Sequence, residues 1–215
     1  MNIRDNMVVV FERSPAWAFA KSAREWYEKI PEPPPPDNLY NIGEPARLVF
    51  LYSCLSLEAF IAEELVSRTS ESQYGPLFER GVPITVRWRK AARLCACETA
   101  SAQRALENLV EECKDTKNYG LMVRARNKLV HPKVHKEILD DRGHIISDSK
   151  IERLVADLQK PPANLPDDLP KPSFPRIIEC GDSAKWSLQT LSRMIRLFYN
   201  VVDESISDHW KDVLM

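Results

Sequence analysis

The positions of the prolines constrain the fold of this chain more than any other feature. The 215 residues include 16 prolines and only 6 glycines, and most of the prolines lie in two clusters, at 31–36 and 161–175. Proline interrupts a helix because it lacks the amide hydrogen and clashes with the preceding turn. The clustering therefore leaves long proline-free stretches in which helices can form. Hydrophobic residues make up 44% of the chain and charged residues 28%, as in ordinary globular proteins.

The spacing of apolar residues predicts several long helices in these stretches. Residues 14–29 are predicted as the first, with Ser14 as its N-cap and Pro15 at its first position. The strongest pattern runs from Glu44 to Ser67, where apolar residues step by three and four and predict a core-facing stripe. The stripe consists of Leu48, Leu51, Tyr52, Leu55, Ala59, Ala62 and Leu65.

Three further helices are predicted before the second proline cluster. Residues 84–97 and 101–117 form two of them, and Tyr119-Gly120 is interpreted as the break after the second. A short helix then runs from Leu121 to about His131, where Pro132 ends it, since the residue before a proline avoids the α conformation.

The stretch 137–182 is interpreted as a loop-rich insertion, in which Asp140-Asp141-Arg142-Gly143 forms a turn between two short strands and a short helix lies near 150–159. A final long helix is predicted from Ser183, its N-cap, to about Lys211. Its apolar stripe is Leu188, Leu191, Ile195, Phe198, Val202 and Ile206. The predicted fold is all-α, a bundle of four to five helices with the insertion before the last.

Composition and charge exclude several classes of function. The net charge of −1 gives no broad field that would attract a polyanion, and no stretch approaches the roughly 18 apolar residues of a membrane span. The N-terminus is not a convincing signal peptide. The number of cysteines is odd, and most lie within helical patterns, which favours reduced thiols and a cytoplasmic protein. The five cysteines are Cys54, Cys95, Cys97, Cys113 and Cys180.

The segment 124–136 is the sharpest charge asymmetry in the chain. It contains no acidic residue, two histidines and five cations: Arg124, Arg126, Lys128, Lys133 and Lys136. On a helix, Asn127 and His131 share one face because they are four residues apart. The imidazole would lie at the negative end of the helix dipole, which favours its charged form. Histidine, arginine and amide together suit phosphodiester cleavage, in which the histidine moves a proton and the arginine stabilises charge on the phosphate.

The string Arg126-Asn127-Lys128-Leu129-Val130-His131 resembles the Arg-(four residues)-His motif of the HEPN superfamily. These small helical domains occur in prokaryotic toxins, defence systems and RNA-processing enzymes. The segment 57–64, which contains Glu58, is similar to the acidic and apolar helix that precedes the motif. A final long helix follows the motif in this chain, as it does in the HEPN superfamily. The resemblance covers residues 44–136 and 183–210, so the chain divides into an N-terminal helix with a polyproline spacer, 1–43, and a HEPN-like domain, 44–215.

The resemblance implies a metal-independent endoribonuclease without a cofactor, acting as a homodimer in a toxin–antitoxin or defence setting. Arg126 would contact the scissile phosphate, His131 would act as general acid or base, and Asn127 would orient the pair. The RNA 2′-hydroxyl would be the nucleophile. Binding of RNA would involve the four other cations of the segment, Arg124, Lys128, Lys133 and Lys136, and an antitoxin or other protein partner is a further expectation.

A structural interpretation of the same residues stays open. The histidine can cap helix carbonyls, and Arg126 can pair with Glu58 inside the bundle, which would leave a catalytically inactive module that binds a protein, RNA or nucleotide.

Other motifs have an ordinary interpretation beside a functional one. The cluster at 87–90 can bind nucleic acid or form a solvated helix face with Trp88 in the core. The polyproline run is either a docking peptide or a stiff spacer. Cys95-Ala96-Cys97 has no second pair with zinc-site spacing, so no metal site is predicted.

Overall fold

The computed structural model describes residues 14–31, 43–96, 110, 112–130, 138–139, 145–146, 176–179 and 181–214. Within these ranges the chain is an all-α bundle, as predicted, with five long helices: α1 (Pro15–Tyr27), α2 (Glu44–Arg68), α4 (Ile84–Ala96), α5 (Lys114–Val130) and α6 (Gly181–Val201). Two four-residue helices, α3 (Glu71–Tyr74) and α7 (Asp208–Lys211), complete the set, together with 3₁₀ turns at Gly75–Phe78 and Arg176–Glu179. The polyproline residues 32–36, residues 101–109 of the predicted helix 101–117, and the short helix predicted near 150–159 lie outside the described ranges.

The first helix begins as the sequence predicts. The Ser14 hydroxyl accepts a hydrogen bond from the Trp17 amide at 3.1 Å and donates one to Glu63 of α2 at 2.6 Å. The other oxygen of Glu63 accepts from the Ala16 amide at 2.9 Å. Two of the free amides at the start of α1 are thus satisfied, which fixes α1 against α2.

The long helix α2 lies at the centre of the bundle, but its predicted core stripe is wrong. Leu55 is 37% exposed, and of the seven predicted residues only Leu65 is buried. The buried side of α2 is Ala46, Val49, Phe50, Ser53, Cys54, Ser56, Leu57, Phe60, Ile61 and Leu65. The helix is apolar around most of its circumference because other helices surround it, and periodicity alone does not distinguish its two apolar sides.

One helix continues where the sequence predicted a break. Helix α5 runs through Tyr119-Gly120 without interruption. The Tyr119 side chain is fully buried and its ring lies edge-on to Trp88, with the centroids 5.8 Å apart. Burial of a tyrosine outweighs the cost of about 1 kcal/mol for a glycine inside a helix.

The last predicted helix is shorter than expected and starts earlier. It begins at Gly181, so that Ser183 is a buried residue of the first turn and not the N-cap. Asp182, also in the first turn, favours this start through the helix dipole. The helix ends at Val201 because Asp203 adopts a left-handed conformation, φ 57°, and the Glu204 amide turns back to the Tyr199 carbonyl at 3.0 Å.

The chain after α6 returns to the core. Glu204 forms a two-pronged ion pair with Arg68 at 2.6 and 2.8 Å, which holds the turn against the end of α2. Helix α7 then places Trp210 in the core, and the Trp17 indole donates a hydrogen bond to the His209 carbonyl at 2.9 Å. The first and last helices of the described chain are therefore joined directly.

An aromatic cluster centred on Phe60 connects four helices. Its ring centroid lies 5.7 Å from Trp88, 5.3 Å from Phe198, 6.0 Å from Tyr199 and 5.5 Å from Trp210. Trp88 is 2% exposed, which confirms the predicted core position of this side chain. Phe60 thus links α2 to α4, α6 and α7 through one side chain.

The predicted turn at 140–143 lies between two short strands, β1 (Ile138–Leu139) and β2 (Ile145–Ile146), which pair antiparallel with Ile138 opposite Ile146. Within the described residues, no helix combines the length and the apolarity that crossing a membrane requires.

Candidate functional site

The arginine of the predicted motif, Arg126, lies on α5 and forms an ion pair with Glu58 of α2 through its Nη2 atom. The two side chains are 21% and 27% exposed. Met122 and Ala125, on the same helix, are buried in the core and fix the position from which the guanidinium reaches α2. This is the pair that the structural interpretation predicted.

Arg126 also lines an open cleft of about 920 Å³ between α5 and the segment that leads into α4. The charged side chains of the lining are four cations and one carboxylate: Arg87, Lys117, Arg124, Arg126 and Glu58. The other lining residues are Gly81, Val82, Pro83, Ile84, Thr85, Gly120, Leu121, Val123 and Asn127. In a chain with a net charge of −1, this excess of cations makes the cleft a local attractor for anions.

Three of the four cations have no carboxylate partner among the described residues. Within the described residues, no ion pair engages Arg87, Lys117 or Arg124. The Arg87 guanidinium lies over the Phe78 ring at 5.2 Å, and its Nε is buried without a hydrogen-bond partner. The charges of these three residues are therefore not neutralised within the described fold.

The amino-terminal end of α4 opens on the same cleft. Ile84 and Thr85, the first two residues of the helix, belong to the lining. A helix amino terminus carries a partial positive charge and presents amide donors to an anion. Its field adds to that of the side chains, so the cleft suits a phosphate better than a neutral ligand.

In comparisons with known protein families, curated proteins and solved structures, nothing matches this chain.

The described structure brings three of the predicted site residues together. Arg124, Arg126 and Asn127 all line the cleft, and the side chains of Arg124 and Asn127 are exposed. Lys128 belongs to α5, but its side chain is not among those that the structure describes. The remaining predicted residues, His131, Lys133 and Lys136, also lie outside the described residues, so their roles stay predictions.

Sequence reasoning missed Lys117 and the approach to α4. Lys117 and Arg124 are seven residues apart on α5 and so lie two turns apart on one face. The predicted break at Tyr119-Gly120 placed them on different helices and hid this relation. Arg87 was noted within a basic cluster, but its position opposite α5 depends on tertiary packing that no local pattern reveals.

The cysteines and acids of the described chain do not form a metal centre. No group of three histidine, cysteine, aspartate or glutamate side chains within the described residues could hold a metal ion. Cys54, Cys95 and Cys113 are free thiols.

Cys54 lies in the core beside Arg126 and has a strongly perturbed pKa. Burial raises the pKa of this thiol from 9.0 to about 12, and the positive charge of Arg126 opposes the shift. The thiol is therefore protonated throughout the physiological range and is not a nucleophile.

We expect this thiol to make the fold sensitive to alkali. Between pH 9 and 12 the unfolded chain loses the proton of Cys54 while the folded chain keeps it, which favours unfolding. The free energy of unfolding should fall by about 1.4 kcal/mol per pH unit above pH 9 from this group. Urea unfolding of the wild type and Cys54→Ala at a series of pH values measures the effect. The variant should show a shallower decline, and parallel curves would contradict the assignment.

Proposed function

We propose that the chain is a HEPN-like RNA-binding protein that cleaves RNA without a metal ion, as a cytoplasmic homodimer in a toxin–antitoxin or defence system. The observation that carries this proposal is the cationic cleft onto which Arg126, Arg124 and Asn127 open. A polyanion is the ligand class that such a lining favours, since each cation that contacts a phosphate releases bound counterions.

The chemistry we propose uses the RNA as its own nucleophile. The 2′-hydroxyl attacks the adjacent phosphorus and gives up its proton, and the bond from phosphorus to the 5′-oxygen breaks as that oxygen gains a proton. The products are a 2′,3′-cyclic phosphate and a 5′-hydroxyl. His131 accepts the first proton or supplies the second, and water exchanges the other. Arg126 stabilises the negative charge that develops on the phosphate. Glu58 engages Nη2 of Arg126, and a guanidinium has five N–H donors, so the ion pair does not by itself exclude contact with a phosphate.

One specific observation favours a second candidate function. The Arg126–Glu58 pair fixes the guanidinium between two helices, which is what a purely structural arginine would do. Under this alternative the chain is a catalytically inactive HEPN-like module, and its cleft binds RNA, a nucleotide or an acidic protein segment. The two proposals share the cleft and differ in whether the bound phosphodiester is broken.

The cleft itself is tested by the salt dependence of RNA binding. Lys117→Ala should weaken the binding of a fluorescent single-stranded RNA and lower the slope of log K against log salt by about 1, because one phosphate contact is lost. Lys185→Ala is the matched control, since Lys185 of α6 is exposed and outside the cleft lining. Equal slopes for the wild type and Lys117→Ala would remove the cleft from RNA binding.

The same preparation separates the two candidate functions. Total RNA incubated with the wild type in a chelator should be cleaved if the enzyme proposal holds. Binding with the expected salt slope and no cleavage would favour the inactive module.

A further inference from the structure

The side of α2 opposite its fully buried face carries a regular apolar stripe. Six residues step by 4, 3, 4, 3 and 4: Leu48, Tyr52, Leu55, Ala59, Ala62 and Val66. We call this set the outer stripe. Alternating steps of three and four are the spacing with which one helix packs along another. The stripe runs from residue 48 to residue 66, a rise of about 27 Å along the helix.

The described fold leaves the outer stripe incompletely covered. Leu55 and Val66 are 37% and 55% exposed, the two exposed large hydrophobic side chains of the described residues, and both belong to the stripe. The other four members are half-buried. Tyr52 and Ala59 pack partly against the core, and the Tyr52 ring stacks on Phe19 of α1 with the centroids 6.2 Å apart. On one border Ser56 and Glu63 contact α1, and on the other border Glu58 contacts α5. The stripe therefore lies between the contacts that α2 makes with α1 and with α5.

The order of side-chain sizes along the stripe fits a second copy of α2 that runs antiparallel. The large residues, Leu48, Tyr52 and Leu55, come first, and the smaller ones, Ala59, Ala62 and Val66, follow. With a two-fold axis that crosses the stripe at the level of residue 57, Leu48 would face Val66 of the second copy. Tyr52 would likewise face its Ala62, and Leu55 its Ala59. Each layer then pairs a larger with a smaller side chain, which is how facing helices interlock without voids.

Charge is compatible with this pairing. The outer stripe contains no charged residue, and the carboxylates at its borders are already engaged, Glu58 by Arg126 and Glu63 by Ser14 and the Ala16 amide. Burying an unpaired charge in a contact is costly. Because Glu58 and Glu63 both keep their partners, self-association would not incur this cost for either carboxylate.

We infer that the outer stripe of α2 is the surface through which two copies of this chain associate, antiparallel and about a two-fold axis. This surface would be the contact of the homodimer in the proposed function, and the choice of a second copy as the partner rests on that proposed function. Because Glu58 borders both the stripe and the cleft, the contact would bring the two Arg126–Glu58 pairs toward the same axis. Two clefts would then open next to each other.

A size-swap experiment tests the pairing, with sedimentation equilibrium as the readout. The wild type should sediment with the mass of two chains. Leu55→Ala leaves a void opposite Ala59, and Ala59→Leu crowds the layer with two leucines, so each should weaken the dimer by about tenfold or more. The double variant restores one large and one small residue per layer and should return to within about threefold of the wild type. Ser67→Ala, exposed and outside the stripe, should change nothing.

Val66→Glu provides a second readout that folding does not confound, because more than half of Val66 is exposed. It should give a folded monomer, with folding checked by the urea midpoint. A wild type that is monomeric at every concentration would overturn the inference. A dimer that Val66→Glu leaves intact would also overturn it, as would a double variant whose loss of dimer affinity equals the two single losses combined. These outcomes concern mass and not cleavage, so they can fail separately from the ribonuclease proposal.

Discussion

Replacing Arg126 by alanine is expected to reduce RNA cleavage by about 10²–10⁴-fold, and His131→Ala is expected to have an effect of similar size. Arg126 has two contacts to lose, the proposed one to the scissile phosphate and the observed one to Glu58. The loss should appear in the rate at saturating RNA, because the guanidinium stabilises charge that develops only in the transition state. Single-turnover cleavage of a labelled RNA in a chelator measures it.

The control for Arg126→Ala is another arginine in an ion pair outside the cleft. Arg193 of α6 lies 3.7 Å from Asp115 and is 55% exposed, so Arg193→Ala should keep wild-type cleavage. Glu58→Gln adds a third arm, since the amide keeps the volume but removes the negative charge from the cleft. We expect this variant to bind RNA more tightly. Full cleavage by a folded Arg126→Ala would exclude the proposed role of the guanidinium.

The second large effect concerns stability and not chemistry. Phe60→Ala should lower the free energy of unfolding by about 3–5 kcal/mol, because it opens a cavity where four aromatic rings meet. Since those rings come from α4, α6 and α7, the loss should be cooperative across the bundle. Urea unfolding followed by circular dichroism gives the value.

Phe60→Leu is the graded control for this prediction. Leucine keeps most of the buried volume but loses the edge-to-face contacts, so the loss should stay below about half of that for alanine. A loss of less than about 1.5 kcal/mol for Phe60→Ala would show that the cluster is not central to the fold.

The helices themselves could be predicted because their signals are local. Ser14 before Pro15 specifies the start of α1 through short-range hydrogen bonds, and the residues required are adjacent in sequence. The interruption at Tyr119-Gly120 was wrong because a weak local preference was opposed by the burial of Tyr119 against Trp88, 31 residues earlier in the chain.

The orientation of α2 could not be predicted from its own residues. Both of its apolar sides satisfy the helical period, and the choice between them depends on where α1, α4, α5 and α6 pack. The end of α6 was missed for a related reason. No glycine or proline marks it, and the turn depends on a left-handed Asp203 that the Arg68–Glu204 ion pair helps to hold.

Some residues of the candidate site could likewise be predicted from local sequence, and others could not. Arg124, Arg126 and Asn127 could be selected because they adjoin in sequence, and the alternative partner of Arg126, Glu58, could be named. Arg87 and the amino end of α4 join the cleft only through the packing of α4 beside α5, which depends on the buried contact of Trp88 with Tyr119.

The bond between the Trp17 indole and the His209 carbonyl joins residues that are 192 positions apart. A ribosome releases α1 long before it has made α7. During synthesis the Trp17 indole therefore lacks this acceptor, and Phe60 lacks its contact with Trp210. Contacts of such sequence separation form late and slow the folding of the chain that needs them. The nascent protein should therefore expose an unfinished aromatic core until α7 emerges, and a product that stalls before α7 would present that core to chaperones and proteases.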